Sequence, residues 1–180
     1  MSLLDILNHR RAVRHYDANK PIDKEVVRNY IEQATLAPTS SNMQLWEAYH
    51  VTDKNVLKEL SHACLEQLSA RSAQQMVVFV TRQDQYKQHA QAALAFERNN
   101  IKSYSPAEKQ ENRIKKQEMY YAKLIPFLYS RCFGLWGLVR KTLAQCVGLF
   151  RPMMRQVSEG DLRVSVHKSC ALVAQTFMLA

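Results

Sequence analysis

Glycine and proline are scarce in this chain, four and five residues out of 180. Turn-rich all-β designs lean on both residues, so their scarcity argues for long helices instead. No low-complexity tract or internal repeat is present, which removes disordered, linker-like and solenoid readings. The four cysteines (Cys64, Cys132, Cys146 and Cys170) form no C-x-x-C pair, and no histidine stands at ligand spacing from any of them. A metal site is therefore not expected. Their apolar neighbours suit buried thiols in a reducing cytoplasm. The amino terminus, MSLLDILNHRR, places its charge after its apolar residues, the reverse of a secretory signal.

What is present describes an ordinary globular chain, 47% hydrophobic and 23% charged, of a length that suits a single domain. The net charge of +9 favours anionic partners: nucleic acid, acidic lipid or phosphorylated small molecules. Much of the basic character lies in 98–116, where Arg98, Lys102, Lys109, Arg113, Lys115 and Lys116 alternate with Glu97, Glu108, Glu111 and Glu118. Mixed signs on helical stretches read as a salt-bridged exposed face, so a nucleic-acid partner is not expected.

The pattern predicts a short helix over 2–9, capped by Ser2, with Asp5 in its first turn and an apolar face of Leu3, Leu4, Ile6 and Leu7. Asp23 reads as the cap of a helix of about 13 residues that ends ahead of Pro38. WEAYHVT suits a strand, Asp53 a helix cap for a face including Val56, Leu57, Leu60 and Leu65, and MVVFVT a buried central strand. Helices are predicted over 83–100, 106–123 and 163–180, the last with Val166, Cys170, Val173, Phe177 and Met178 near one face. The class is α+β, a small sheet wrapped by long helices.

Segment 124–150 is strongly apolar, but Arg131, Arg140 and Lys141 divide it into blocks shorter than the roughly 20 residues that span a bilayer. A buried helical hairpin, a dimer-facing lid or a membrane-surface helix are the readings that remain. Packing against another protein surface is the first expectation. Peripheral membrane contact is the second, because cations beside aromatic residues suit anionic headgroups.

Two segments carry chemistry. Arg10-Arg11-Ala12-Val13-Arg14 sets three guanidinium groups within five residues, and arginine's forked donors match a phosphate monoester. In an extended loop, residues 10, 12 and 14 share one side while 11 faces the other. A solvated basic loop explains the residues equally well. The second segment, Ala37-Pro38-Thr39-Ser40-Ser41-Asn42-Met43-Gln44-Leu45-Trp46, presents hydroxyls and carboxamides that can donate and accept, anchored between a helix and a strand. Such groups suit a ligand with ribityl hydroxyls and an amide-like ring edge. Taken in isolation, an ordinary turn with a helix cap explains this segment better.

In order and separation the two segments resemble the amino-terminal signatures of the nitroreductase family, R-R-S-x-R-x-F/Y and A-P-S-S-x-N-x-Q-P-W. The resemblance extends through VVFV to VHKSCALVAQTFMLA, similar to the family's long core helix near the dimer axis. It implies a nitroreductase-like fold with a small central mixed sheet, a domain-entwined homodimer and FMN in a cleft between subunits. By similarity Arg10 and Arg14 contact the FMN phosphate or nearby flavin oxygens, with Arg11 and Ala12 beside them. Pro38, Thr39, Ser40 and Asn42 come from the partner subunit, Gln44 lies near the ring or ribityl chain, and Gln67 matches a family carboxamide near the flavin. The implied activity passes hydride from NADH or NADPH through the flavin to a small-molecule acceptor such as a nitroaromatic or quinone, in the cytoplasm. The chemistry is the cofactor's, so no side chain is assigned as catalytic.

Three departures from the family pattern stand out. Ala12 replaces a serine, removing one hydrogen bond worth roughly 0.5–1.5 kcal/mol. Leu45 replaces a proline ahead of Trp46. The family continues beyond its core helix with a turn, a strand and basic residues, whereas this sequence ends at Phe177-Met178-Leu179-Ala180 without a helix stop signal. One domain over 1–180, incomplete at its carboxyl end and carrying 124–150 as an apolar helical insertion or lid, is the expectation. The rival functions are other flavin chemistry on the same fold (reductive dehalogenation or flavin fragmentation) and a non-enzymatic basic dimer contacting anionic membrane or nucleic acid.

Overall fold

The computed structural model describes residues 2–131 and 135–180, so Cys132 and part of the 124–150 segment lie outside the described residues. The chain divides into two compact units: Met1–Pro38 with Glu47–Val80 and Ala171–Ala180, and Thr39–Trp46 with Thr81–Cys170.

In the first unit, helix α1 (Leu3–His9) begins at Ser2, whose hydroxyl accepts from the Asp5 N–H at 3.2 Å while the Asp5 carboxylate accepts from the Ser2 N–H at 2.7 Å. This reciprocal cap also holds the Asp5 carboxyl below its usual range, through its bonds to Ser2. The predicted apolar face is present but uncovered: Leu3, Leu4 and Leu7 are exposed. Helix α2 (Lys24–Ala34) starts at Asp23 as expected and buries Val27 and Ala34. It is two residues shorter than the roughly 13 predicted, because the Thr35 hydroxyl turns back onto the Glu32 carbonyl at 2.6 Å and closes the last turn.

Strand β1 (Trp46–Val51) pairs with β2 (Met76–Thr81) in a two-stranded sheet. His50 near the end of β1 meets Gln75 just before β2, Nε2 to Oε1 at 2.6 Å, so the strands run antiparallel. A mixed sheet needs three strands, and the described residues contain two. The predicted buried strand MVVFVT is half-buried along its whole length, since a strand with one neighbour keeps an open edge. Phe79 of β2 packs edge-on against Phe177 of α9 (Glu159–Leu179) at 5.5 Å between ring centroids.

Helix α3 (Lys54–Ala63) is capped by Asp53, which accepts from the N–H groups of Asn55 and Val56. Leu65 does not join its apolar face. The Glu66 N–H returns to the Ser61 carbonyl and the Leu65 N–H to that of His62, both at 3.0 Å, a paired termination that puts Leu65 at φ 58° and leaves it exposed. Glycine normally takes that position; in a glycine-poor chain a leucine holds it at a cost of about 1–2 kcal/mol. The short α4 (Leu68–Ser72) then leads into β2.

The second unit is built on an antiparallel helical pair, α5 (Tyr86–Tyr104) and α6 (Ala107–Glu118), joined at Ser105-Pro106. Arg98 of α5 pairs with Glu118 of α6, an instance of the expected mixed-charge face. The predicted helix over 106–123 loses α-geometry at Met119–Leu124, a π-turn ahead of α7 (Ile125–Tyr129). Pro126 lacks the N–H that would continue an α-ladder there. Helix α8 (Leu135–Gly148) follows the undescribed residues. Helix α9 starts behind a second reciprocal cap, in which Ser158 and Asp161 bond each other's backbone N–H. Apolar packing centres on Met43, Leu45, Ala90, Leu94, Ile125 and Val166, with alanines on α5 allowing close approach.

Some burial expectations change. Cys64 and Cys146 are exposed; Cys170 is buried, and burial pushes its thiol pKa up. On α9, Val166, Cys170 and Val173 are buried while Met178 faces solvent. In the described part of segment 124–150, Ile125 and Tyr129 of α7 are buried. Helix α8 buries Gly137, Arg140 and Ala144 and turns its large apolar residues outward.

Candidate functional site

The arginine segment lies in the first unit. The backbone leaves α1 at Arg10, whose N–H closes on the Ile6 carbonyl at 2.9 Å, and residues 10–16 then run without regular structure, every one exposed. Among the described residues no carboxylate pairs with Arg10, Arg11 or Arg14. Arg11 bends back onto the Arg10 carbonyl through Nη1 at 2.9 Å. Three side chains that the sequence reading did not single out fix the far end of this segment. The Tyr16 N–H donates to Ser72 Oγ at 2.9 Å, Gln74 Nε2 to the Asp17 carbonyl at 2.9 Å, and Gln75 Nε2 to the Ile22 carbonyl at 2.8 Å. The end of α4 and the linker from it to β2 thus hold one end of the segment and α1 the other. Gln67 is exposed at the start of α4, where its carbonyl accepts from the Arg71 N–H. Pro38 is exposed in the same unit.

The amide-and-hydroxyl loop lies in the second unit. Met43 and Leu45 are its apolar anchors, 2% and 4% exposed, while Ser40, Asn42 and Gln44 point to solvent. Residues Ser40–Asn42 form a single 3-10 turn. Ser41, Asn42 and Gln44 adopt φ of 53°, 49° and 47°, left-handed backbone that costs an L-residue about 1 kcal/mol or more unless surroundings enforce it. The surroundings are dense. The Ser41 hydroxyl meets the Tyr120 hydroxyl at 2.6 Å, Tyr121 donates to the Ser41 carbonyl at 3.0 Å, and the Ser40 N–H donates to Ser169 Oγ at 3.1 Å. His89 Nδ1 lies 2.8 Å from the Met43 carbonyl and its Nε2 3.1 Å from Gln85 Oε1. Inside the loop the Gln44 N–H donates to Thr39 Oγ1 and Gln44 Nε2 to Asn42 Oδ1, both at 3.2 Å. The π-turn presents two successive tyrosines to one residue of the loop, and burial raises the Tyr121 pKa, keeping it a neutral donor. Nothing in the local sequence of 119–124 marks these tyrosines as supports, which is why sequence reasoning missed them.

The concavity beside this loop, lined by Thr39, Ser40, Gln44, Tyr129, Val166 and Ser169, measures about 10 Å³. That is room for about one water, against the roughly 300–1,000 Å³ of small-molecule pockets. A larger groove of about 320 Å³ at the α5–α6 turn contains none of the predicted site residues. No cluster of metal-ligating side chains occurs among the described residues.

The mostly helical chain with its small two-stranded sheet has a nitroreductase-like fold. The family model described as the nitroreductase family matches residues 7–180, and the chain belongs to that family. It is similar to a Staphylococcus saprophyticus protein provisionally named an NAD(P)H nitroreductase, 29% identical over 112 residues, covering 59% of this chain and 48% of the relative. The chain thus spans about half the length of that curated relative. Among solved structures it resembles a nitroreductase family protein of Streptococcus pneumoniae (TM-score 0.60, 24% identity, 99% of this chain and 70% of that one). It also resembles an Exiguobacterium sibiricum protein assigned as a nitroreductase and crystallised with FMN (TM-score 0.58, 21% identity, 99% and 69%).

Proposed function

We propose that the chain binds FMN and serves an NAD(P)H-dependent oxidoreductase reaction, with a nitroaromatic, quinone or similar electron-poor small molecule as acceptor. The observation that carries this reading is the Thr39–Gln44 loop: strained backbone held rigidly so that Ser40, Asn42 and Gln44 stay exposed with fixed orientation. A turn that only reversed the chain would not need three left-handed positions without glycine. The arginine segment fits a phosphate, since its guanidinium groups are exposed and have no carboxylate partner among the described residues.

On this reading Arg10 and Arg14 hold the FMN phosphate, with Arg11 and Ala12 beside them. Pro38, Thr39, Ser40 and Asn42 serve the flavin of a second copy, Gln44 orients the ring or ribityl chain, and Gln67 approaches the same flavin. Bound FMN would accept hydride from NADH or NADPH and pass it to the acceptor. The protein's own part is to bind, to orient by hydrogen bonds and to supply positive charge where negative charge accumulates. Two observations favour a homodimer: the concavity at the loop is too small to enclose a tricyclic ring, and the apolar face of α1 is uncovered. A reduced-nicotinamide donor would fit a reaction in the cytoplasm.

Anaerobic titration tests the activity. FMN-loaded protein should lose its flavin absorbance on addition of NADPH or NADH and regain it on addition of a quinone. Flavin absorbance unchanged by either nicotinamide would remove the reductase reading and leave only flavin binding.

A further inference from the structure

Helix α8 is built inside out. Its buried face is Gly137, Arg140 and Ala144, with Arg140 only 2% exposed, while Leu135, Leu138, Val139 and Leu143 face solvent. At 100° per residue Leu135 and Leu138 lie on the side opposite Arg140, and Val139 and Leu143 lie on the flank between that side and the buried face. The apolar surface continues past the helix through Leu149, Phe150, Met153 and Met154, with Phe150 87% exposed.

Cations outnumber acids around this surface, where Asp161 stands near Lys141 and Asp84 near Arg131. From Met119 to Val157 the chain carries no aspartate or glutamate and six basic residues. Arg140 is turned inward; Lys123, Arg131, Lys141, Arg151 and Arg155 are exposed. Arg155 lies against the carboxyl end of α8, where a Cβ at Gly148 would come within 3.4 Å of its Nε. Contiguous apolar surface of this extent needs an explanation in a globular chain. A second copy meeting it face to face would set Arg151 and Arg155 against their counterparts in a stretch, 149–157, that contains no acid. Nucleic acid would leave the apolar centre unmatched. A bilayer surface with anionic headgroups satisfies both parts, the apolar side chains entering the acyl boundary and the cations meeting phosphate. The helix is 14 residues, about 21 Å, so it lies in the interface and does not cross it. No described helix is long and apolar enough to span a membrane.

We propose that α8 and the following segment 149–155 dock this protein onto anionic lipid bilayers. The proposal stands independently of the flavin. The test is flotation of the full chain with phosphatidylglycerol–phosphatidylcholine vesicles, compared with vesicles of phosphatidylcholine alone. Partitioning should be at least about tenfold stronger on the anionic vesicles and fall steeply with added salt. L138E combined with L143E changes exposed positions and should abolish binding while leaving far-UV circular dichroism unchanged. K141Q combined with R151Q should weaken binding roughly 25-fold, about fivefold per cation. In a W46F background, Trp136 emission should shift to the blue on vesicle addition and be quenched by brominated lipid, a readout that needs no variant of α8. Equal binding to neutral vesicles, undiminished binding by L138E/L143E, or an unshifted Trp136 would overturn the proposal. So would absence of vesicle binding together with a self-association that L138E/L143E dissolves, which would assign the face to a second copy.

Discussion

Arg10→Ala is expected to weaken FMN retention about 10- to 100-fold in equilibrium dialysis, whereas Lys116→Ala changes it less than about twofold. The difference follows from the chemistry of the two cations. Arg10 stands at the end of α1 on a segment tied down at both ends, so its guanidinium offers paired donors without an acid already occupying them. A hydrogen bond to a charged group is worth about 1.5–3 kcal/mol, which is the fold-change given. Lys116 lines the groove at the α5–α6 turn, on a helix where acids and bases alternate. Its loss alters only a screened surface field. Equal retention in the two variants would take the phosphate role from Arg10.

The largest stability effect is expected at Arg140. Its Nε donates to the Val157 carbonyl at 3.0 Å, and its Nη1 to the carbonyls of Phe127 and Ser130 at 3.0 and 2.9 Å. Phe127 and Ser130 are at the carboxyl end of α7, where helix carbonyls lack intrahelical partners, and Val157 precedes the cap of α9. One buried guanidinium therefore ties α8 to the end of one helix and the approach to another. Burial lowers its pKa, and Glu159 opposes that shift. Arg140→Leu should cost roughly 3–5 kcal/mol, since the Val157 and Ser130 carbonyls lose this donor and the Phe127 carbonyl keeps only the Ser130 hydroxyl. In a chain of this size that lowers Tm by about 10 °C. Lys141→Leu, one residue away and exposed, should stay within about 0.5 kcal/mol of the parent. Arg140→Lys should recover little, because an ammonium lacks the planar fork that reaches three carbonyls. Thermal unfolding of the three variants decides it; a Tm for Arg140→Leu equal to that of Lys141→Leu would show that the three bonds contribute nothing.

Arg140 also marks where sequence reading stopped. Within 124–150 it interrupts an apolar run, and an isolated arginine in such a run is expected at a surface. The fold inverts the pattern because the unsatisfied carbonyls of α7 come from residues 10 and 13 positions away, a relation no periodicity encodes. Local chemistry was legible where a single residue determines it. Ser2, Asp23 and Asp53 cap the helices they precede, and the aromatic and β-branched runs at 46–51 and 76–81 form the two strands. The termination of α3 was not, since it rests on Leu65 in a backbone conformation that leucine rarely adopts. In the candidate site the exposed polar residues of the loop could be named from the chain alone. Their supports could not, because Tyr120, Tyr121, His89 and Ser169 act from 46 to 129 positions away.

The central claim is that arginines of one subunit and the amide-and-hydroxyl loop of the other complete a single FMN site. Subunit mixing tests it directly. One chain carries Arg10→Ala with Arg14→Ala, the other Ser40→Ala with Asn42→Ala, and neither alone should retain FMN. In a mixed dimer one site combines both defects and the other has none. FMN should therefore return to about one of the two sites in each mixed dimer, read as flavin absorbance after tandem affinity purification. Mixed dimers that form and remain without flavin would contradict shared construction of the site.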